Sequence, residues 1–170
     1  MTNIFILRSK KKNIAYVCYE KKKIISYVGK NGIGKKNREG DLITPRGCFG
    51  VNRIFVRTDK ALRIKSALPI SKIEKSNIWC IDPKHRKYNC FLKKPIHCFY
   101  ENLYREDGVY DVIISTTFNS KPVKKHKGSA IFIHCIGEKN DFTEGCIALK
   151  RKDLIDLLKT LKPSSRIIIR

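Results

Sequence analysis

One stretch of the chain concentrates side chains that can do nucleophilic chemistry: Ile131-Phe-Ile-His-Cys-Ile-Gly-Glu-Lys-Asn-Asp-Phe-Thr-Glu-Gly-Cys-Ile-Ala-Leu149. Cysteine attacks as the thiolate, and a nearby histidine lowers the thiol's pKa or takes its proton. His134 and Cys146 are the pair on offer. Gly145 would let a substrate carbonyl come close to the backbone. Backbone N–H groups around Cys146 could then form an oxyanion hole. Cys135 is a rival nucleophile, but neighbours on a strand point to opposite faces, so it should turn away from whatever His134 faces. The plainer alternative is a satisfied core histidine and a buried thiol.

The elements that must position this pair are mostly strands. Asn3–Arg8, Asn13–Tyr19 and Lys23–Val28 are short and rich in Ile, Val, Phe and Tyr, which predicts an antiparallel sheet. The glycine-dense segment Gly29–Gly50 reads as a loop. Val51–Arg57 is a further strand, residues 58–78 give no clear pattern, and the punctuation Asp82-Pro83 and Tyr88-Asn89 predicts an irregular middle. Tyr110–Thr117 and Ala130–Cys135 are near-continuous apolar runs, so both should be central and buried. Lys152–Leu161 places Leu154, Leu157, Leu158 and Leu161 on one helical face, with Asp153 in the first turn and Pro163 beyond the end. Ile167–Ile169 closes the chain as a strand. One mostly β domain with a few helices, spanning 1–170, is expected.

Composition sets the bounds. The chain has 170 residues, 42% of them hydrophobic, which is enough for a core. No apolar run approaches the ~20 residues of a membrane-spanning helix. Lys and Arg number 37 against 15 Asp and Glu, a net charge of +22. Such a field attracts polyanions: nucleic acid, anionic lipid or an acidic wall polymer. Yet the basic residues are mostly Lys, scattered among Ile and Asn. That pattern resembles compositional bias more than an arginine-built phosphate reader, so a nucleic-acid role is disfavoured. The seven cysteines (18, 48, 80, 90, 98, 135 and 146) are odd in number, so at least one thiol is free or pairs between chains. They show no C-x-x-C, and the four histidines are not at ligand spacing, so no metal or cofactor is expected. His85, His97 and His126 lie in polar stretches and read as solvated. The apolar stretch Ile4–Leu7 is too short for the core of a cleaved signal peptide.

The strand histidine followed by Thr143-Glu-Gly-Cys146 and apolar residues resembles the signature of the L,D-transpeptidase (YkuD-like) family. Other segments agree in order. Gly29–Gly34 with Lys36-Asn-Arg-Glu-Gly-Asp-Leu-Ile-Thr-Pro-Arg-Gly-Cys-Phe49 resembles the family's glycine-rich hairpin, and Trp79-Cys-Ile-Asp-Pro83 with Tyr88-Asn89 its middle element. Tyr110–Ile114 with Asn119, then Gly128–His134, resembles the two strands before the site. The resemblance runs from about residue 24 to 170 and is nearest the short single-domain bacterial members.

It implies a β-sandwich-like catalytic domain and acyl transfer on peptidoglycan stem peptides, with no cofactor. Cys146 would attack the carbonyl of the third stem residue and expel the terminal D-Ala. The thioester would then pass to a neighbouring stem's amine, forming a 3-3 cross-link. His134 would serve as base and then acid, held by a backbone carbonyl. The Gly145 and Cys146 amides would stabilise the oxyanion, and Thr143 would orient the loop. Tyr88 and Asn119 either line the cleft or cap turns, and Trp79 is a wall or core aromatic. Glu144 stands where the family often has His or Arg, and Cys135 and Ala148 also depart from its pattern. A carboxylate at 144 should raise the thiol pKa. The resemblance also implies a cell-envelope or periplasmic setting, with the cytoplasm as the alternative. An L,D-carboxypeptidase or cross-link hydrolase on the same thiol is the nearest rival reading. A non-catalytic polyanion-binding module is the rival of another class.

Overall fold

The computed structural model describes residues 3–60, 62, 64–137 and 141–170. Strand β1 (Asn3–Arg8) buries Ile4 and Ile6, and β2 (Ile14–Tyr19) buries Ala15, Val17 and Tyr19, a period of two that turns one face to the core. β3 (Lys22–Tyr27) completes the meander. The expected loop over Gly29–Gly50 is corrected. Within it β4 (Ile33–Gly34) and β5 (Thr44–Pro45) pair in parallel, and β6 (Gly47–Val56) starts well before Val51. The cause is long-range, because the chain's last strand lies along Gly47–Gly50 and supplies its hydrogen bonds.

The middle is also more ordered than its punctuation suggests. β7 (Ile70–Lys72) runs parallel to β6. β8 (Asn77–Cys80), β9 (Phe91–Lys93) and β10 (Tyr100–Asn102) form a separate three-stranded sheet with β8 at its centre. β11 (Val112–Thr116) and β12 (Phe132–Cys135) are buried throughout, as their composition predicts. β13 (Ile147–Leu149) lies parallel to β12. The helix α1 (Arg151–Thr160) buries Leu154, Leu157 and Leu158 and packs against β12. It is the one α-helix among the described residues. β14 (Arg166–Ile169) returns beside β1.

The main sheet runs β11-β12-β13-β3-β2-β1-β14-β6-β7. It also closes on itself, because β6 pairs with β14 through Gly47–Gly50 and with β11 through Val51–Val56. The fold is mostly β, as expected. The apolar runs of β11 and β12 feed two cores. Val112, Ile114, Ile133 and Cys135 join Ile4, Ile6, Ile54, Ile167 and the helix leucines inside the curled sheet. Ile113 and Phe132 point the other way, to Phe55, Trp79, Leu103 and Tyr110 beneath the small sheet. Each fully buried Ile or Leu contributes roughly 1.5–3 kcal/mol relative to exposure, so both layers are firmly held. The second layer matters for chemistry, because Ala130 and Cys146 pack at its margin.

Candidate active site

The turn that carries Cys146 is fixed from both sides. The Thr143 hydroxyl donates to the Cys146 carbonyl at 2.7 Å and accepts the Gly145 N–H at 3.1 Å. Thr143 is itself clamped to the end of the first meander. Its N–H donates to the Val28 carbonyl and its carbonyl accepts from the Lys30 N–H, each at 2.9 Å. Gly145 has φ +139°, and a Cβ there would stand 2.8 Å from the Ile43 carbonyl oxygen. The glycine is therefore required by the backbone's own path as much as by room for a substrate.

The Cys146 thiol donates to the Ala130 carbonyl at 3.0 Å, and its sulfur accepts the Phe132 N–H at 3.3 Å. Burial, above all, pushes the thiol up to about 12, with Glu101 and Glu144 adding to the rise and the Phe132 N–H and Lys36 opposing it. The effect foreseen for Glu144 is present but secondary to desolvation.

His134 lies on β12 and faces the same cleft, while Cys135 faces the main core. Its Nδ1 is 2.8 Å from the Cys135 carbonyl. A carbonyl only accepts, so Nδ1 carries the proton and Nε2 keeps a lone pair. Burial lowers the imidazole to about 4, against the effect of that carbonyl. The resting pair is therefore a neutral thiol and a neutral imidazole rather than a preformed ion pair. Tyr110 stacks edge-on against the ring with centroids 5.4 Å apart.

The cleft holds about 460 Å³. Sequence reasoning placed His134, Thr143, Glu144 and Cys146 in it, and all four line it. It did not foresee Lys36, Glu39, Glu101, Arg105 or Tyr110, which line it too. Glu101 accepts from Arg105 at 3.0 Å and is raised by burial, with Arg105 opposing. Arg105 is further held by Asp107. Lys36, nearly buried, donates to Asp41 at 2.6 Å and to the Ile43 carbonyl at 3.3 Å. Lys36, Glu39 and Tyr110 fall inside segments that carry the family resemblance, but nothing local places them at the site, and Glu101 and Arg105 lie outside those segments.

Tyr88 and Asn119 do not line the cleft. Tyr88 is buried and its hydroxyl donates to Glu39, which also accepts from Ser129 at 2.9 Å. Asn119 sits at φ +46° and ties off its own loop, donating to the carbonyls of Lys124 and Gly128 at 2.9 and 2.8 Å. Of the two places considered for Trp79 it takes the core, packed with Phe55 and Phe132, and its indole N–H donates to Asn89 at 2.8 Å. Asn89 also accepts the Ala130 N–H at 3.0 Å, so it fixes the residue whose carbonyl holds the thiol. His97 and His126 are exposed as expected, whereas His85 is half-buried beside Cys80.

Among known proteins, the solved structure of the helical cell shape determining protein Pgp2 (K307A mutant) from Campylobacter jejuni aligns with a TM-score of 0.49 and 18% identity, covering 99% of this chain. This chain spans about half of that one, 47% of its length. No curated protein sequence matches. The profile of the L,D-transpeptidase catalytic domain (YkuD) matches residues 3–169. With nearly its whole length matched, the chain belongs to the YkuD family of L,D-transpeptidase catalytic domains.

Proposed function

We propose that the chain is a cysteine acyl transferase that forms 3-3 cross-links between peptidoglycan stem peptides through a thioester on Cys146. The observation that carries this reading is the convergence of Cys146 and a backbone-anchored His134 on one cleft. In the proposed reaction His134 Nε2 takes the thiol proton as the sulfur attacks the third-residue carbonyl, so charge builds only as the bond forms. The Gly145 N–H is already given to Thr143. We therefore assign the oxyanion chiefly to the Cys146 N–H. The imidazolium then returns its proton to the departing D-Ala amine. The acceptor amine next attacks the thioester, gives its proton to His134 and releases the thiolate, which is reprotonated. Glu101 and Glu144 on the wall would draw the acceptor in as its ammonium in preference to water, and that ammonium loses one proton to solvent before the free amine attacks.

The family supports action at the cell envelope, and the +22 charge supports retention on an anionic wall or membrane face. No described helix is long and apolar enough to cross a membrane. The product assay is direct. Purified tetrapeptide-stem muropeptides should yield 3-3 dimers with release of D-Ala. Tripeptides alone would overturn transpeptidation in favour of hydrolysis. No product, together with salt-sensitive polymer binding, would favour a non-catalytic module.

A further inference from the structure

The small sheet holds a cluster that the catalytic reading does not use. Cys80 ends β8 and is fully buried, and Tyr100 of β10 pairs directly across from it. Cys98 lies just before β10 and is half-buried. After Cys80 the chain turns at Asp82, whose carbonyl accepts the His85 N–H at 3.1 Å and whose carboxylate accepts the Lys84 N–H at 2.9 Å. That turn brings His85 Nδ1 to 3.7 Å from the Cys80 sulfur. The three donor atoms all lie within 4.8 Å of one another.

Tetrahedral zinc, with bonds of roughly 2.3 Å to sulfur and 2.0–2.1 Å to nitrogen, needs its sulfur and nitrogen ligands about 3.6 Å apart. The Cys80–His85 pair already has that separation, and Cys98 needs to close by no more than about an ångström. The imidazole is also in the ligating form. Its Nδ1 accepts the Lys87 N–H at 3.1 Å, so it carries a lone pair, which a metal would take over from that N–H.

We propose that Cys80, His85 and Cys98 bind one zinc-class divalent metal, with the fourth position open to water. Two thiolates and an imidazole select zinc-like ions over magnesium or calcium. As the metal binds, both thiol protons leave to solvent. The site's role is structural. Ile81, next to Cys80, and Glu101, next to Tyr100, line the catalytic cleft, so the metal would fasten that wall to β8 and β10. The cysteine spacing hid this cluster, because strand pairing rather than a short motif brings the donors together.

The test uses the full chain, reduced and then titrated with cobalt(II). A thiolate-to-cobalt charge-transfer band should saturate at one metal per chain and be displaced by zinc(II). It should persist in Cys146→Ala, weaken at least tenfold in His85→Ala and be lost in Cys98→Ser. Zinc should raise the Tm of the Cys146→Ala chain but not of the His85→Ala chain. His85 and Cys98 are only half-buried or exposed at their edges, so these variants keep the test usable if Cys80→Ser fails to fold. No band, a band that follows Cys146, or a Cys80–Cys98 disulfide in the purified protein would overturn the proposal. None of these readouts depends on transpeptidase activity.

Discussion

At the scale of residues, burial governs the reactivity of the site. His134 is held near 4 and Cys146 near 12, both chiefly by desolvation. Alkylation of Cys146 in the free enzyme should therefore keep rising with pH beyond the ordinary thiol value of about 8.5 rather than level off there. A plateau near neutrality in an iodoacetamide rate profile would instead mean a preformed thiolate. His134 stays unprotonated well below 6.5, so the acid limb of kcat/KM should fall below the ordinary imidazole range. Replacing His134 by Gln should cost roughly 100- to 10,000-fold in acylation rate, as loss of a general base does. Gly145→Ala should lower acylation by about 100-fold, because the added methyl collides with the Ile43 carbonyl and moves the thiol. Stopped-flow acylation would measure both. The residues of this core were legible because His134, Thr143, Gly145 and Cys146 lie in one short segment. Glu101, Arg105 and Lys36 were not, since nothing local in the chain announces that they meet at the cleft.

At the scale of elements, the small sheet and the segment between β11 and β12 act together. Asn89 accepts from Trp79 and Ala130 and donates to the carbonyls of Phe118 and Asn119 at 3.1 and 2.8 Å. Asn89→Ala would leave these partners, the buried Trp79 among them, unpaired and should cost about 2–4 kcal/mol, read by urea unfolding. It should also slow acylation, because Ala130 positions the thiol; unchanged acylation would show that the Ala130 carbonyl is dispensable. The pairing Trp79 with Tyr88-Asn89 was visible in the sequence as a motif, but its work was not. The strands β4, β5, β7, β9 and β10 have two or three residues each, too few for alternation to register. Longer strands such as β1, β2 and β11 were legible from their β-branched and aromatic content, and α1 from the period of its leucines.

At the scale of the whole molecule, His134 and Cys146 also shape stability. His134 is depressed when folded, so its contribution is present above about pH 6.5 and is lost as pH falls towards 4. Cys146 is raised when folded, so its contribution holds below about pH 9 and is lost as pH rises towards 12. Asp41, held low against its burial by Lys36 and nearby backbone N–H groups, adds to the loss in acid. Thermal melts should therefore show a plateau from about pH 6.5 to 9, and His134→Gln should soften the acid side. The +22 charge predicts binding to anionic vesicles that weakens steeply with salt, checked by sedimentation. Charge was legible in composition alone, but in the proposed reading it is the setting and His134 with Cys146 the centre. That centre is tested most directly by intact-mass spectrometry after incubation with a carbapenem. The account predicts one covalent adduct per chain, mapped to Cys146 and absent in Cys146→Ala. A reduced, folded chain that acquires no adduct, or acquires it at another cysteine, would contradict it.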